Sequence, residues 1–172
     1  VNFIQSQLTD EEIETAFKGL PEAVQDETIE DIKAHLKARR DNLGDIAKRY
    51  YNYLQEFQVL PGTEEDDVFN IVRKENGITA IEMINEDGKQ VFSESYNSEA
   101  TDEIWVYGLD GDDTFKVTGD GENLIRINVI GGEENDIYDF ENTRKIKLYD
   151  HKTKENTITN PKSKKWLVDD YE

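Results

Sequence analysis

Two stretches of this chain repeat one another 23 positions apart, and that period limits the fold more than any other feature. Gly108-Leu109-Asp110-Gly111-Asp112-Asp113-Thr114-Phe115 is matched by Gly131-Gly132-Glu133-Glu134-Asn135-Asp136-Ile137-Tyr138. Each follows an apolar-rich run, Ile104-Trp105-Val106-Tyr107 in one case and Ile125-Arg126-Ile127-Asn128-Val129-Ile130 in the other. A fainter copy without glycines extends from Leu148-Tyr149-Asp150 to Asn156-Thr157-Ile158. A chain that returns at a fixed interval to strand, tight turn and strand stacks its windings into a short β-solenoid. Ile104, Val106, Phe115, Val117, Ile125, Ile127, Val129, Ile137, Phe140, Ile146 and Leu148 are the expected core positions.

Both turns approach the Gly-Gly-x-Gly-x-Asp-x-apolar sequence of calcium-binding β-rolls, where glycines permit the turn and aspartates face the ion. Calcium takes six to eight oxygens at about 2.3–2.6 Å. Asp110, Asp112, Asp113, Glu133, Asn135 and Asp136 are therefore the candidate ligands, and calcium the candidate cofactor. Asp, Asn and Gly are equally the residues that any β-turn favours. On that second reading Asp113 and Asp136 bond local backbone amides and no metal is involved. Two features lean toward it. The period exceeds the nine residues of true β-rolls, so adjacent turns need not share a site. Glu134 also stands where the motif uses a glycine for its backbone angles, at a conformational cost.

Composition excludes several classes. The 172 residues carry 39 acidic against 20 basic side chains, a formal net charge of -19. Such a field repels phosphate backbones, which argues against nucleic acid as a partner. Cysteine is absent, so disulfides, thiolate metal sites and cysteine nucleophiles are excluded. Neither His35 nor His151 has the company that a metal triad or a catalytic base needs. Lys48-Arg49-Tyr50-Tyr51 reads as part of an amphipathic stripe, and Glu64-Glu65-Asp66-Asp67 as a solvated acidic loop. Gly108 and Gly131 precede no helix, so neither cradles a phosphate. No apolar run is long enough for a membrane helix, and no leader opens the chain. It begins at Val1 with Met83 as its one methionine, the pattern expected of an excised or processed fragment. No catalytic constellation is visible.

Along the chain the expected fold class is α+β. About three helices come first: Thr9-Asp10-Glu11-Glu12 has the form of a capping box, Thr28 can start a second helix, and Asn42-Leu43-Gly44-Asp45 breaks before a third bearing Ile46, Tyr50, Leu54 and Phe57. Leu60-Pro61-Gly62-Thr63 marks the switch to strands. Val68 to Arg73, Ile78 to Ile84 and Lys89 to Tyr96 form a meander, joined by Asn76-Gly77 and Asp87-Gly88, dipeptides suited to hairpin turns with positive φ. The division is a helical subdomain over 1–60, meander plus solenoid over 61–159, and a linker tail over 160–172.

Taken in order, several runs resemble one known arrangement. They are Leu36-Lys37-Ala38-Arg39-Arg40-Asp41-Asn42-Leu43, Ala47 through Tyr51, Trp105-Val106-Tyr107-Gly108-Leu109-Asp110, Ile130-Gly131-Gly132, Tyr149-Asp150-His151-Lys152 and Asp169-Asp170-Tyr171-Glu172. Together they resemble the middle region of large outer-membrane proteins of Bacteroidetes. In those proteins a calcineurin-like metallophosphoesterase domain comes first and a surface-antigen-type β-barrel last. The resemblance implies a non-catalytic accessory module associated with the outer membrane, whose partners are the adjacent phosphoesterase and barrel domains. It assigns no catalytic residue here. Dinuclear-metal hydrolysis needs ligand histidines that this stretch lacks, so hydrolase activity would belong to the parent chain. A calcium-stabilised module is the alternative function.

Overall fold

The computed structural model describes residues 1–152, 154–160 and 165–168. Among the described residues four α-helices precede eleven strands, and the chain divides into two compact units, Val1–Tyr53 and Leu54–Glu172. The expected α+β class holds.

In the first unit α1 covers Asn2–Gln7, α2 Asp10–Lys18, α3 Glu27–Asp41 and α4 Leu43–Glu56, with a 3-10 turn at Glu22–Val24. Helix α1 adds a helix to the three expected. Thr9 Oγ1 accepts from Glu12 N at 3.1 Å, as the capping box requires. The second start lies earlier than expected, because Asp26 rather than Thr28 supplies the cap. The expected break shrinks to Asn42, and Phe57 leaves the helical stripe to begin a strand. Between α2 and α3, Glu14 meets Lys33 at 2.8 Å and Lys37 at 2.7 Å, which holds its carboxyl down to about 2. Ile13 is the one buried residue of this unit among those described. With so little apolar burial, amides of α2 and α3 should exchange through openings of lower free energy than those of the strands. Equal protection in both units by native-state hydrogen exchange would refute this.

In the second unit β1 is Phe57–Pro61, β2 Val68–Arg73, β3 Ile78–Ile84, β4 Gln90–Asn97, β5 Glu103–Leu109, β6 Thr114–Thr118, β7 Arg126–Gly132, β8 Ile137–Phe140, β9 Ile146–His151, β10 Thr157–Ile158 and β11 Lys165–Val168. One sheet has the order β1-β5-β7-β9-β11 and is parallel throughout. The other has the order β10-β8-β6-β2-β3-β4, parallel as far as β2 and antiparallel through the meander. The pairs β1/β2, β5/β6, β7/β8 and β9/β10 thus each give one strand to either sheet, which is the winding of a solenoid.

The repeat places like residues in columns. Leu60, Val106, Val129 and Leu148 are successive partners, as are Ile104, Ile127 and Ile146, then Ile71, Val117 and Phe140. Phe69, Phe115 and Tyr138 stack at 5.1 and 5.3 Å with rings 5° from parallel. All of these residues are buried. Ile137, placed in the core by its sequence, is 44% exposed instead, because Tyr138 takes the inward position.

The meander has the expected strands. Asn76 and Gly77 both take positive φ, 57° and 71°, whereas at Asp87-Gly88 only the glycine does, at 73°. The tail differs from expectation, since Lys165–Val168 pairs with β9 as a strand rather than forming a linker. The closing Asp169–Glu172 lies outside the described residues.

Candidate functional site

Four turns stack at one corner of the solenoid. A glycine lies at the end of the first strand or just past it in three windings, at Gly62, Gly108 and Gly131, and an aspartate directly precedes the second strand five residues on, at Asp67, Asp113 and Asp136. In the fourth winding the pair becomes Asp150 and Asn156. The spacing was legible in the first winding too, but there it was read as a solvated acidic loop. Asp67 is 1% exposed, so that reading fails for this residue.

Two ladders of hydrogen bonds climb the corner in opposite directions. In the inner one, backbone amides donate to the carboxylate or amide oxygen of the next winding: Asp67 N to Asp113 Oδ1 at 2.8 Å, Asp113 N to Asp136 Oδ1 at 2.9 Å, and Asp136 N to Asn156 Oδ1 at 2.7 Å. In the outer one, amides donate to the preceding winding: Asp112 N to Asp66 Oδ1 at 2.8 Å, Asn135 N to Asp112 Oδ1 at 3.0 Å, and Glu155 N to Asn135 Oδ1 at 2.9 Å. A turn leaves backbone donors without strand partners, and these side chains satisfy them.

The six candidate calcium ligands thus fall into three places. Asp113 and Asp136 lie in the buried inner ladder, and Asp112 and Asn135 in the exposed outer one. Asp110 and Glu133 lie at the exposed rim with Glu134, their carboxylate oxygens within 4.8 Å of one another. Glu134 adopts φ 68°, the left-handed conformation expected where a motif glycine is replaced. Lys154 Nζ lies 3.7 Å from its carboxylate.

The inner column is unusual for its charge. Asp67, Asp113, Asp136 and Asp150 are each at most 1% exposed. Tyr138 Oη lies 3.0 Å from Asp136 Oδ2 and 2.6 Å from Asp150 Oδ2. Asp67 Oδ1 and Asp113 Oδ2 find no hydrogen-bond partner among the described residues. Burial pushes the Asp113 carboxyl up to about 8 and that of Asp136 up to about 7, and it raises Asp150 as well. The Tyr138 hydroxyl is raised far above its usual range by burial and then by the two neighbouring carboxylates. Sequence reasoning missed Asp66, Asp67, Tyr138 and the role of Asp150. The Gly-to-Asp spacing at Gly62 and Asp67 was the available signal.

Two other places carry chemistry. Arg73 is buried with Nη1 3.3 Å from the Ile125 carbonyl oxygen, while Nε and Nη2 have no partner among the described residues. Burial lowers its guanidinium to about 10. On the outer face of the parallel sheet, Glu103 accepts from Trp105 Nε1 at 2.8 Å and Asn128 Nδ2 at 2.5 Å, and pairs with Arg126. Of the two histidines, His35 Nδ1 meets the Asp31 carbonyl one helical turn earlier at 2.8 Å.

Compared with protein families, with curated proteins and with solved structures, the chain finds no match. Among the described residues no helix is long and apolar enough to cross a membrane, which does not bear on crossing by strands.

Proposed function

We propose that this chain is a structural module, a short solenoid that spaces and orients neighbouring domains of a larger protein. The observation that supports it most is how the turn carboxylates are used. Six of the seven acidic or amide residues at positions 66, 67, 112, 113, 135, 136 and 156, all but Asp67, receive a backbone amide from an adjacent winding through Oδ1. These side chains are committed to holding windings together. A stack of that kind transmits length and direction from one end to the other, since each winding contacts only its neighbours.

The ordered runs described above extend the proposal to context. On that resemblance the neighbours are a metallophosphoesterase domain and an outer-membrane barrel, the location is the cell envelope, and the module itself performs no chemistry. The rim formed by Asp110, Glu133 and Glu134 would add an acidic surface to the spacer.

The test is to replace this chain, within such a parent protein, by a Gly/Ser linker of equal span. Such a linker is a flexible coil and loses a fixed separation. Aryl-phosphate turnover should remain within about twofold, while the defined distance between flanking domains, read by spin-label distance distributions, should broaden. The isolated chain should leave aryl phosphates intact with manganese or zinc. Turnover by the isolated chain, or an unchanged distance distribution in the linker variant, would overturn the proposal.

A further inference from the structure

We propose that the buried guanidinium of Arg73 holds a small monoatomic anion of the chloride class, enclosed at the far end of the strand that the Asp67 turn opens. Arg73 is the last residue of β2 and belongs to its inward set with Phe69 and Ile71. It is 2% exposed. Nη1 donates to the Ile125 carbonyl oxygen at 3.3 Å, while Nε and Nη2 have no partner among the described residues. Thr79, the residue paired with Arg73 across the β2–β3 ladder, is also buried, and its Oγ1 has no partner among the described residues either. Side chains directly opposite one another on antiparallel strands start about 4.5–5.5 Å apart at Cβ. The two unpartnered groups therefore rise from adjacent points of the interior face.

Charge makes this place different from the rest of the protein. Arginine keeps its proton in a folded chain, and a buried charge without a counter-charge is strongly destabilising. Elsewhere the arginines are matched: Arg40 meets Asp10 and Asp41, Arg126 meets Glu103, and Arg144 meets Asp120. Arg73 has no carboxylate partner among the described residues. Burial, and then repulsion from the Arg144 cation, lowers its guanidinium to about 10, in agreement with that geometry.

The unpartnered atoms also select the occupant. A guanidinium offers donors and no acceptor. Water set against it would accept a bond, but would bring two hydrogens that need acceptors of their own and would leave the charge uncancelled. An anion accepts from every side, and the Thr79 hydroxyl can turn its hydrogen toward the same ion. Ile125, whose carbonyl receives Nη1, also lines a surface cleft with Thr101, Asn123 and Lys145, which gives the ion a way in. Glu99 and Asp102 line that cleft too, and their charges disfavour a multiply charged oxyanion.

The test combines diffraction with thermal melting of the intact chain. Crystals grown in sodium bromide should show an anomalous peak within hydrogen-bonding reach of Arg73 Nε, Arg73 Nη2 and Thr79 Oγ1. In solution, chloride is exchanged for the bulky anion gluconate at fixed ionic strength, so that screening of the net charge of -19 stays constant. Chloride at about 100 times its dissociation constant should favour the folded state about 100-fold relative to gluconate. Arg73→Met keeps a flexible stem without the charge. It should melt at one temperature in both salts, and in gluconate it should be at least as stable as the unaltered chain. If Arg73→Met does not fold, the bromide map and the salt exchange on the unaltered chain decide. Equal melting of the unaltered chain in chloride and gluconate would overturn the proposal. So would water rather than bromide against Arg73, sulfate bound there where bromide is not, or a chloride effect that persists in Arg73→Met.

Discussion

Phe115→Ala is expected to lower the unfolding free energy by about 3–5 kcal/mol, the range for deleting a buried aromatic ring. The ring is fully buried and lies between Phe69 at 5.1 Å and Tyr138 at 5.3 Å, so its loss leaves a cavity whose walls belong to neighbouring windings. Those walls are held in register by the β2–β6 and β6–β8 ladders and have little freedom to close. Two ring pairs also disappear, each worth about 0.5–1.5 kcal/mol beyond burial. Because contacts in a stack are between neighbours, a lesion in the second winding uncouples the first from the third. Urea unfolding should show a lower midpoint and a broader transition. Ile137→Ala, at a position 44% exposed, serves as the comparison and should cost less than about 1 kcal/mol. Equal costs at the two sites would mean that the aromatic column is not the core.

That pair of residues also shows where the sequence could and could not be read. The alternation through Ile104 and Val106, or Ile127 and Val129, identified both the strands and their inward faces, because a period of two is unambiguous in a half-buried strand. In Ile137-Tyr138 the rule pointed the wrong way. Tyrosine goes inward there because Asp136 and Asp150 engage its hydroxyl, and neither partner is visible as such in the sequence. The first winding escaped notice for a different reason. Asp67 precedes Asp113 by 46 positions rather than 23, since the β3–β4 hairpin is inserted between the strands that stack. The last winding is shortened, with Ile127 paired to Ile146, and carries Asp150 where the others have glycine. Strand β11 shows no alternation and gains its place through pairing with β9. Burial of the acidic column was hidden altogether. Aspartate in a turn is ordinarily exposed, and only the stacking of turns encloses Asp67, Asp113 and Asp136. The helix caps, by contrast, depend on residues within one turn of each other and were legible within two positions.

Gly131→Ala should be as damaging as the loss of a core ring, by about 3–5 kcal/mol, although it adds a single methyl group. Overpacking alone costs about 1–3 kcal/mol, and displacing a buried bond to a charged group adds about 1.5–3. The added Cβ would meet Tyr138 Oη at 2.0 Å and Asp136 Oδ2 at 2.1 Å. Neither atom can yield cheaply: the hydroxyl is engaged by Asp150, and Asp136 also takes the Asp113 amide. Gly19→Ala provides the contrast, because nothing lies within 4 Å of its Cβ position and its φ is -83°. There the change should be neutral, or stabilising by about 0.4–1 kcal/mol through the unfolded state. The fourth winding explains how a side chain can occupy the same column. Asp150 follows Tyr149, the partner of Ile130, just as Gly131 follows Ile130. It stands at the end of the column and reaches back to Tyr138 rather than colliding with it. Clash with the hydroxyl can therefore be separated from clash with the carboxylate. Tyr138→Phe combined with Gly131→Ala removes the nearer of the two contacts, and the pair should be less destabilised than the sum of the single changes by about 1–3 kcal/mol. Strict additivity, measured by urea unfolding of the four proteins, would show that glycine is required at this position for some reason other than the space taken by the Tyr138 hydroxyl.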